Sequence, residues 1–159
     1  MKTERIAGRL IVRDNPTAFW AFYSFFVMGG ITALYLSLSA VTNTLTAALG
    51  AVIGLGNIAG GIYMIKKEPA SVVEIDPAAN RVRIRRWGIA GKRESSYPLD
   101  GLTGADVETT EHTDGGAVYR PRLCFGTSGQ VPLSMFWYQT EAPSKAVIDE
   151  LMGFVGTVP

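Results

Sequence analysis

The sequence predicts an α+β membrane protein: a two-helix transmembrane hairpin, then a small antiparallel β-barrel or sandwich capped by a C-terminal helix. Three observations predict it. No Asp, Glu, Lys or Arg occurs between Asp14 and Lys66, a run of 51 residues in a chain of 159. After Lys66 the charges return, and the pattern becomes short runs of alternating apolar and polar residues punctuated by Gly, Pro, Asn and Asp, the period of strands. From Pro143-Ser144 onward the apolar residues recur at helical spacing. All 15 Lys/Arg and 14 Asp/Glu lie outside the apolar run, so the chain is not one uniform soluble globule. Its 47% hydrophobic content excludes disorder.

The first element is a basic N-terminal segment, 1–16, with Lys2, Arg5, Arg9 and Arg13. Within it, RIAGRLIVR (5–13) fits either a short interfacial segment or an added strand. Residues 17–40, TAFWAFYSFFVMGGITALYLSLSA, make a helix of about 36 Å at 1.5 Å per residue. Residues 44–65, TLTAALGAVIGLGNIAGGIYMI, make one of about 33 Å. Both exceed a hydrocarbon core of about 30 Å. Val41-Thr42-Asn43 leaves room only for a tight turn, Pro16 suits a helix start, and Trp20, Tyr23 and Tyr63 sit where interfacial anchors belong. The first stretch is too long for the apolar region of a signal peptide, and no A-x-A-like cleavage site follows it. Lys and Arg precede the first helix and follow the second, while the turn has none, so both ends are expected to be cytoplasmic.

Small residues forecast how the helices meet. Gly50, Gly54, Asn57 and Gly61 follow i, i+4, i+7, i+11 and share a stripe; Gly30, Ala33, Ser37 and Ala40 form a matching seam on the first helix. Asn57 is expected to bond across to a Ser or Thr of that helix. Gly56 and Gly60 form a second small pair about 120° away. One seam closes the hairpin, so the other either is free for a second membrane protein or a second copy, or reflects only that Gly is common in membrane helices. No charge lies inside the bilayer, which argues against an ion or proton pathway.

The same region contains a decoy. Gly54-x-Gly56-x-x-Ala59 matches the dinucleotide-binding fingerprint, and Glu74 and Asp76 lie near the expected acidic position. The residues that should form an amphipathic crossover helix, Ile58 to Ile65, are apolar all round, and no further βαβ unit follows. A nicotinamide-dependent oxidoreductase is therefore the remote alternative, and no cofactor is expected.

Residues 66–159 carry 11 Lys/Arg and 12 Asp/Glu. Strands are expected over 71–76, 81–87, 92–99, 102–111, 117–125 and 131–135. The turns are Pro77-Ala78-Ala79-Asn80, Gly88 to Gly91, Thr113-Asp114-Gly115-Gly116 and Gly126 to Gln130. A helix over 145–155 presents Val147, Ile148, Leu151, Met152 and Val155 on one face. Six antiparallel strands and a closing helix describe a pleckstrin-homology-like (PH-like) barrel. The IDPAANRVRIRRWG hairpin (75–88), the YPLDGL segment (97–102) and the helix at 144–155, in that order after the apolar hairpin, resemble small bacterial inner-membrane proteins with a two-helix hairpin followed by a bacterial PH-like domain. The resemblance spans roughly 17–155. It implies location in a bacterial inner membrane and scaffolding, assembly or stress-associated roles, and it transfers no catalytic residue.

Several clusters are candidates for binding. Arg81, Arg83 and Arg85 share a strand face, with Lys92 and Arg93 on the hairpin partner and Lys66 and Lys67 at the end of the second helix. This set could meet anionic lipid headgroups or be a solvated face paired with Glu74 and Glu94. Asp106, Glu108, Glu111 and Asp114 surround the single His112, but their alternation splits them between faces, so no metal site is expected. Phe136-Trp137-Tyr138 is expected to pack the barrel mouth or dip to the bilayer interface. Cys124 is alone and excludes an intramolecular disulfide. A net charge of +1 gives no support for nucleic acid. The sequence thus predicts a non-enzymatic, membrane-anchored interaction module: an accessory subunit, assembly factor or scaffold, or alternatively a surface sensor of anionic lipid.

Overall fold

A computed structural model describes residues 1–39, 43–112, 115–126 and 129–156. The chain forms two compact units, residues 16–68 and residues 1–15 with 69–159.

The first unit is a helical pair, α1 (Thr17–Ser39) and α2 (Thr44–Lys67). The Asn43 side chain caps α2 by accepting from the Leu45 N–H at 2.8 Å. Ala40 and two residues of the expected turn, Val41 and Thr42, lie outside the described residues. At the open end of the pair, the Trp20 indole donates to the Glu68 carbonyl at 2.8 Å. The buried residues of the helices are three glycines: Gly30 on α1, Gly54 and Gly61 on α2. The bulky side chains point outward, Phe25 being 76% and Leu38 74% exposed. The α1 hydroxyls hide their polarity by donating to their own helix: Ser24 to the Trp20 carbonyl at 2.7 Å, Thr32 to Met28 at 3.1 Å and Ser37 to Ala33 at 2.7 Å.

The second unit is α+β. Its first sheet runs β1 (Lys2–Ile6), β2 (Arg9–Asp14), β3 (Ala70–Asp76), β4 (Arg81–Gly88), β5 (Gly91–Pro98), in that spatial order and antiparallel throughout. The second sheet is β6 (Leu102–Glu111), β7 (Ala117–Phe125), β8 (Gly129–Pro132), reached from β5 through one 3-10 turn at Leu99–Gly101. A C-terminal helix, α3 (Ala142–Val155), lies against β6 and β7 and reaches β2. The core gathers one face from each layer: Leu10, Val12, Val73, Ile75, Val82 and Ile84 from the first sheet, Leu123, Phe125 and Val131 from the second, and Val147, Leu151 and Phe154 from the helix. Tyr97 stacks on Phe125 with centroids 4.7 Å apart, tying β5 to β7.

Several expectations change. Residues 1–15 are not a separate segment. Ala7 (φ 48°) and Gly8 (φ 76°) turn β1 back into β2, and β2 pairs with β3 from Leu10↔Ile75 to Asp14↔Ser71. The helical pair is therefore inserted between two neighbouring strands of one sheet. No closed barrel forms among the described residues; the strands divide into two sheets. The last strand ends at Pro132, before the expected 135. The buried stripe of α3 is Ser144, Val147, Ile148, Leu151 and Phe154, whereas Met152 is turned outward. The hairpin at Asn80 (φ 46°) forms as read, with the Asn80 N–H on the Pro77 carbonyl at 3.0 Å. The turns at 113–116 and 126–130 fall partly outside the described residues, which omit Thr113, Asp114, Thr127 and Ser128.

Candidate functional site

The helical pair and the outward face of the first sheet carry the candidate groups. Between the helices, a Cβ on Gly30 would lie 2.6 Å from the Gly54 carbonyl oxygen, and one on Gly54 would lie 2.8 Å from that of Gly30. A Cβ on Gly61 would meet Val27 Cγ2 at 2.7 Å, and one on Gly50 would run into Ser37 Oγ. Gly50, Gly54 and Gly61 thus line the contact with α1. Around Gly56 and Gly60 an added Cβ would meet nothing within 4 Å, so this stripe is bare. Asn57 is half-buried. The hydrogen bond expected from it to a Ser or Thr of α1 is not present among the described residues; Thr32 and Ser37 donate to carbonyls of their own helix. Residues 51–59 lie inside the unbroken helix α2, without the strand and turn that a dinucleotide fingerprint needs.

On the first sheet, alternation sends Leu10, Val12, Val73, Ile75, Val82 and Ile84 to the core and their neighbours to the opposite face. That outward face is laced by ion pairs. Arg9 reaches Glu74 at 3.0 Å and Asp76 at 2.9 Å, Arg85 reaches Glu74 at 3.2 Å, and Arg83 reaches Glu94 at 3.2 Å. Glu74 and Asp76 are buried beneath these guanidiniums. Arg81 stands opposite Asp76 in register. Lys92 pairs with Trp87 across β4 and β5 and shares this outward face. Arg93 does not; it stands opposite Arg86 on the other face. The Arg86 guanidinium donates to the Pro132 carbonyl at 2.5 Å, and burial holds its pKa below the usual arginine value. The expected basic set is therefore divided. Lys66 and Lys67 end α2; Arg81, Arg83, Arg85 and Lys92 lie on the outward sheet face; Arg93 lies behind it.

A groove of about 330 Å³ opens on this outward face, lined by Ile11, Arg13, Val72, Arg85, Trp87 and Lys92. Ile11, Arg13, Val72 and Trp87 were not expected there. The signal was the alternation of Arg9-Leu10-Ile11-Val12-Arg13 after Ala7-Gly8, which places Leu10 and Val12 inward and Ile11 and Arg13 outward once the segment is a strand.

The remaining clusters are internal to the α+β unit. Asp106 takes a bidentate pair from Arg122, one arm at 2.9 Å, and the guanidinium holds its carboxyl below the usual aspartate value. Arg120 pairs with Glu108 at 2.6 Å and sits 4.2 Å over the Trp137 ring. Glu111 ends β6, and Asp114 lies outside the described residues. Burial raises the Cys124 thiol pKa, with Asp106 adding to the effect. Tyr138 bridges to Tyr119 through two backbone hydrogen bonds of 2.8 Å, and its hydroxyl donates to the buried Asp14 at 3.0 Å. Ser134 also donates to Asp14. The aromatic triplet thus packs onto β7 and the end of β2.

No protein-family model matches the chain. A search among curated proteins finds no matching relative.

Proposed function

We propose that this protein is a membrane-anchored, non-enzymatic interaction module, serving as an accessory subunit, assembly factor or scaffold of a bacterial inner-membrane complex. One observation carries the reading: the helical pair buries little besides its three glycines and turns its large apolar side chains outward. A soluble monomer ordinarily exposes no more than a few hundred Å² of apolar surface as one patch, and here two whole helices present such side chains. In a bilayer such a surface costs nothing, because lipid tails are as apolar as the side chains. Each helix is also long enough to cross. The pairing of β2 with β3 supports a topology in which the chain enters and leaves the membrane on one side. The Lys and Arg flanking the helices make that side the cytoplasm. The α+β unit is then a cytoplasmic, PH-like module held at the surface.

The bare Gly56/Gly60 stripe is the face on which a second membrane protein or a second copy docks. Small residues let backbones approach closely where no hydrophobic force drives helices together. Gly56→Leu and Gly60→Leu are expected to insert normally, since neither Cβ meets a neighbour within the pair, and to lose association by at least about tenfold. Purification from native membranes through a C-terminal tag, comparing wild type with both variants, reads this out. Undiminished recovery of the associated subunit or second copy with both variants refutes the docking face.

A further inference from the structure

The groove on the outward sheet face adjoins an unusual turn. Between Gly88 and Gly91, which pair across β4 and β5, the tip of the hairpin is Ile89-Ala90. Hairpin tips are ordinarily Asn, Asp or Gly, yet Ile89 is 61% exposed and neighbouring Trp87 is 41% exposed. Gly91 (φ +100°) makes the turn possible and Gly88 packs against Pro69. Register places Asp14, Ser71 and Arg86 in one row, so this apolar tip lies at the end of the sheet where the chain leaves after Asn15 and returns at Pro69. At that end the chain passes into α1 and comes back from α2.

The same end carries three cations around an apolar floor. Arg13, Arg85 and Lys92 rim the groove, Ile11 and Val72 floor it, and Trp87 walls it. Arg13 has Glu4 at 3.6 Å and Arg85 has Glu74 at 3.2 Å, while Lys92 makes no ion pair among the described residues. Glu94, opposite Arg85 in register, is engaged by Arg83. Arg85 commits only Nη2 to Glu74; its Nε makes no hydrogen bond. The rim therefore keeps donors and positive charge in excess.

We infer that this groove holds the phosphate of an anionic phospholipid of the same membrane while Ile89 and Trp87 enter the interfacial layer beside it. The inference rests on the membrane-anchored reading. The chemistry is matched on each side: guanidinium and ammonium donors to a phosphodiester, an indole at headgroup level, and an isoleucine at acyl depth. A volume of about 330 Å³ suits a headgroup.

The test places a spin label at Ile89→Cys in full-length Cys124→Ala protein, reconstituted in bilayer discs of phosphatidylcholine with or without phosphatidylglycerol. A second label, at Leu36→Cys on α1, reports the anchor. The readout is label access to oxygen against a water-soluble nickel chelate. Label 89 is expected to be immersed in phosphatidylglycerol discs. Lys92→Glu, or Arg13→Ala with Arg85→Ala, is expected to lower the ratio of immersed to free label about fivefold per cation removed. Lys92 lies on an exposed edge strand, so its variant folds even if the double variant does not. Label 89 staying in water in both discs while label 36 is immersed overturns the inference alone. Label 36 in water overturns the anchored reading and this inference with it. Equal immersion of label 89 in phosphatidylcholine discs and in phosphatidylglycerol discs shows that the tip inserts without the cationic groove, and overturns the assignment of an anionic lipid to it.

Discussion

Asp14 and Ser71 stand opposite each other on adjacent antiparallel strands, although the whole helical pair lies between them in the chain. The α+β unit is thus assembled from both sides of the insertion, and β2 contributes Leu10 and Val12 to its core. Replacing residues 16–68 with a loop of about four residues, a common hairpin length, is expected to yield a soluble domain that melts cooperatively. Residues 69–159 alone are expected not to fold, because each lost buried aliphatic is worth about 2–5 kcal/mol. Circular dichroism melts of the two proteins check this. A cooperative melt for 69–159 alone would contradict the assignment of β1 and β2 to the core.

The glycine seam makes a contrast within one helix. Gly54→Leu and Gly30→Leu each drive a side chain into the backbone of the facing helix and are expected to destabilise the pair by about 1–3 kcal/mol. Gly56→Leu, on the bare side, is expected to leave it unchanged. Thermal unfolding in detergent compares the three, and equal melting temperatures would mean that the seam does not hold the helices.

Asp14 ends β2 as a buried acceptor for the Ser134 and Tyr138 hydroxyls. Tyr138→Phe is expected to cost about 1–2 kcal/mol, and Ser134→Ala about as much, since it also removes the acceptor of the Phe136 N–H at 2.9 Å. The two effects should be non-additive because both act through one carboxylate. Denaturant titration of the variants and their combination measures the coupling, and strict additivity would show that the hydroxyls act independently.

Acid stability has a local contributor on the second sheet. Arg122 depresses the Asp106 pKa in the folded state below its ordinary value of 3.8. The pair is therefore stabilising above that value, and its contribution is lost as pH falls through the lower folded value. Asp106→Asn is expected to reduce stability at pH 7 and to flatten the part of the acid limb below about pH 4. Melting temperatures from pH 7 to pH 2 test this, and parallel limbs in the two proteins would exclude the pair as a contributor.

Much was legible in the residues themselves. The charge-free run determined two long helices, with α2 extending only through Lys66 and Lys67 beyond its expected end. Alternation determined β3 through β7 to within a residue or two, and Asn80 marked its turn because Asn tolerates a positive φ. These signals are local: a period of 2 or 3.6, a turn residue, a length against bilayer thickness.

Partner and parity were decided only by the tertiary structure. Nothing near Arg9 to Asp14 indicates that its hydrogen bonds are met by a strand beginning at Ala70, because pairing across an insertion leaves no local trace. Alternation alone puts Lys92 and Arg93 on opposite faces, but only the register at the Gly88–Gly91 turn decides that Lys92, opposite Trp87, shares the face of Arg81, Arg83 and Arg85. The groove has the same origin: β2 brings Ile11 and Arg13, β3 brings Val72, and the β4–β5 hairpin brings Arg85, Trp87 and Lys92. Phe154 takes the place of Met152 in the α3 stripe: both fit a helical period that includes Val147 and Leu151, and only the packing of α3 on β6, β7 and β2 decides which side is covered. Periodicity determines which residues can form an element; the long-range hydrogen bonds and the packing of distant faces determine what that element touches.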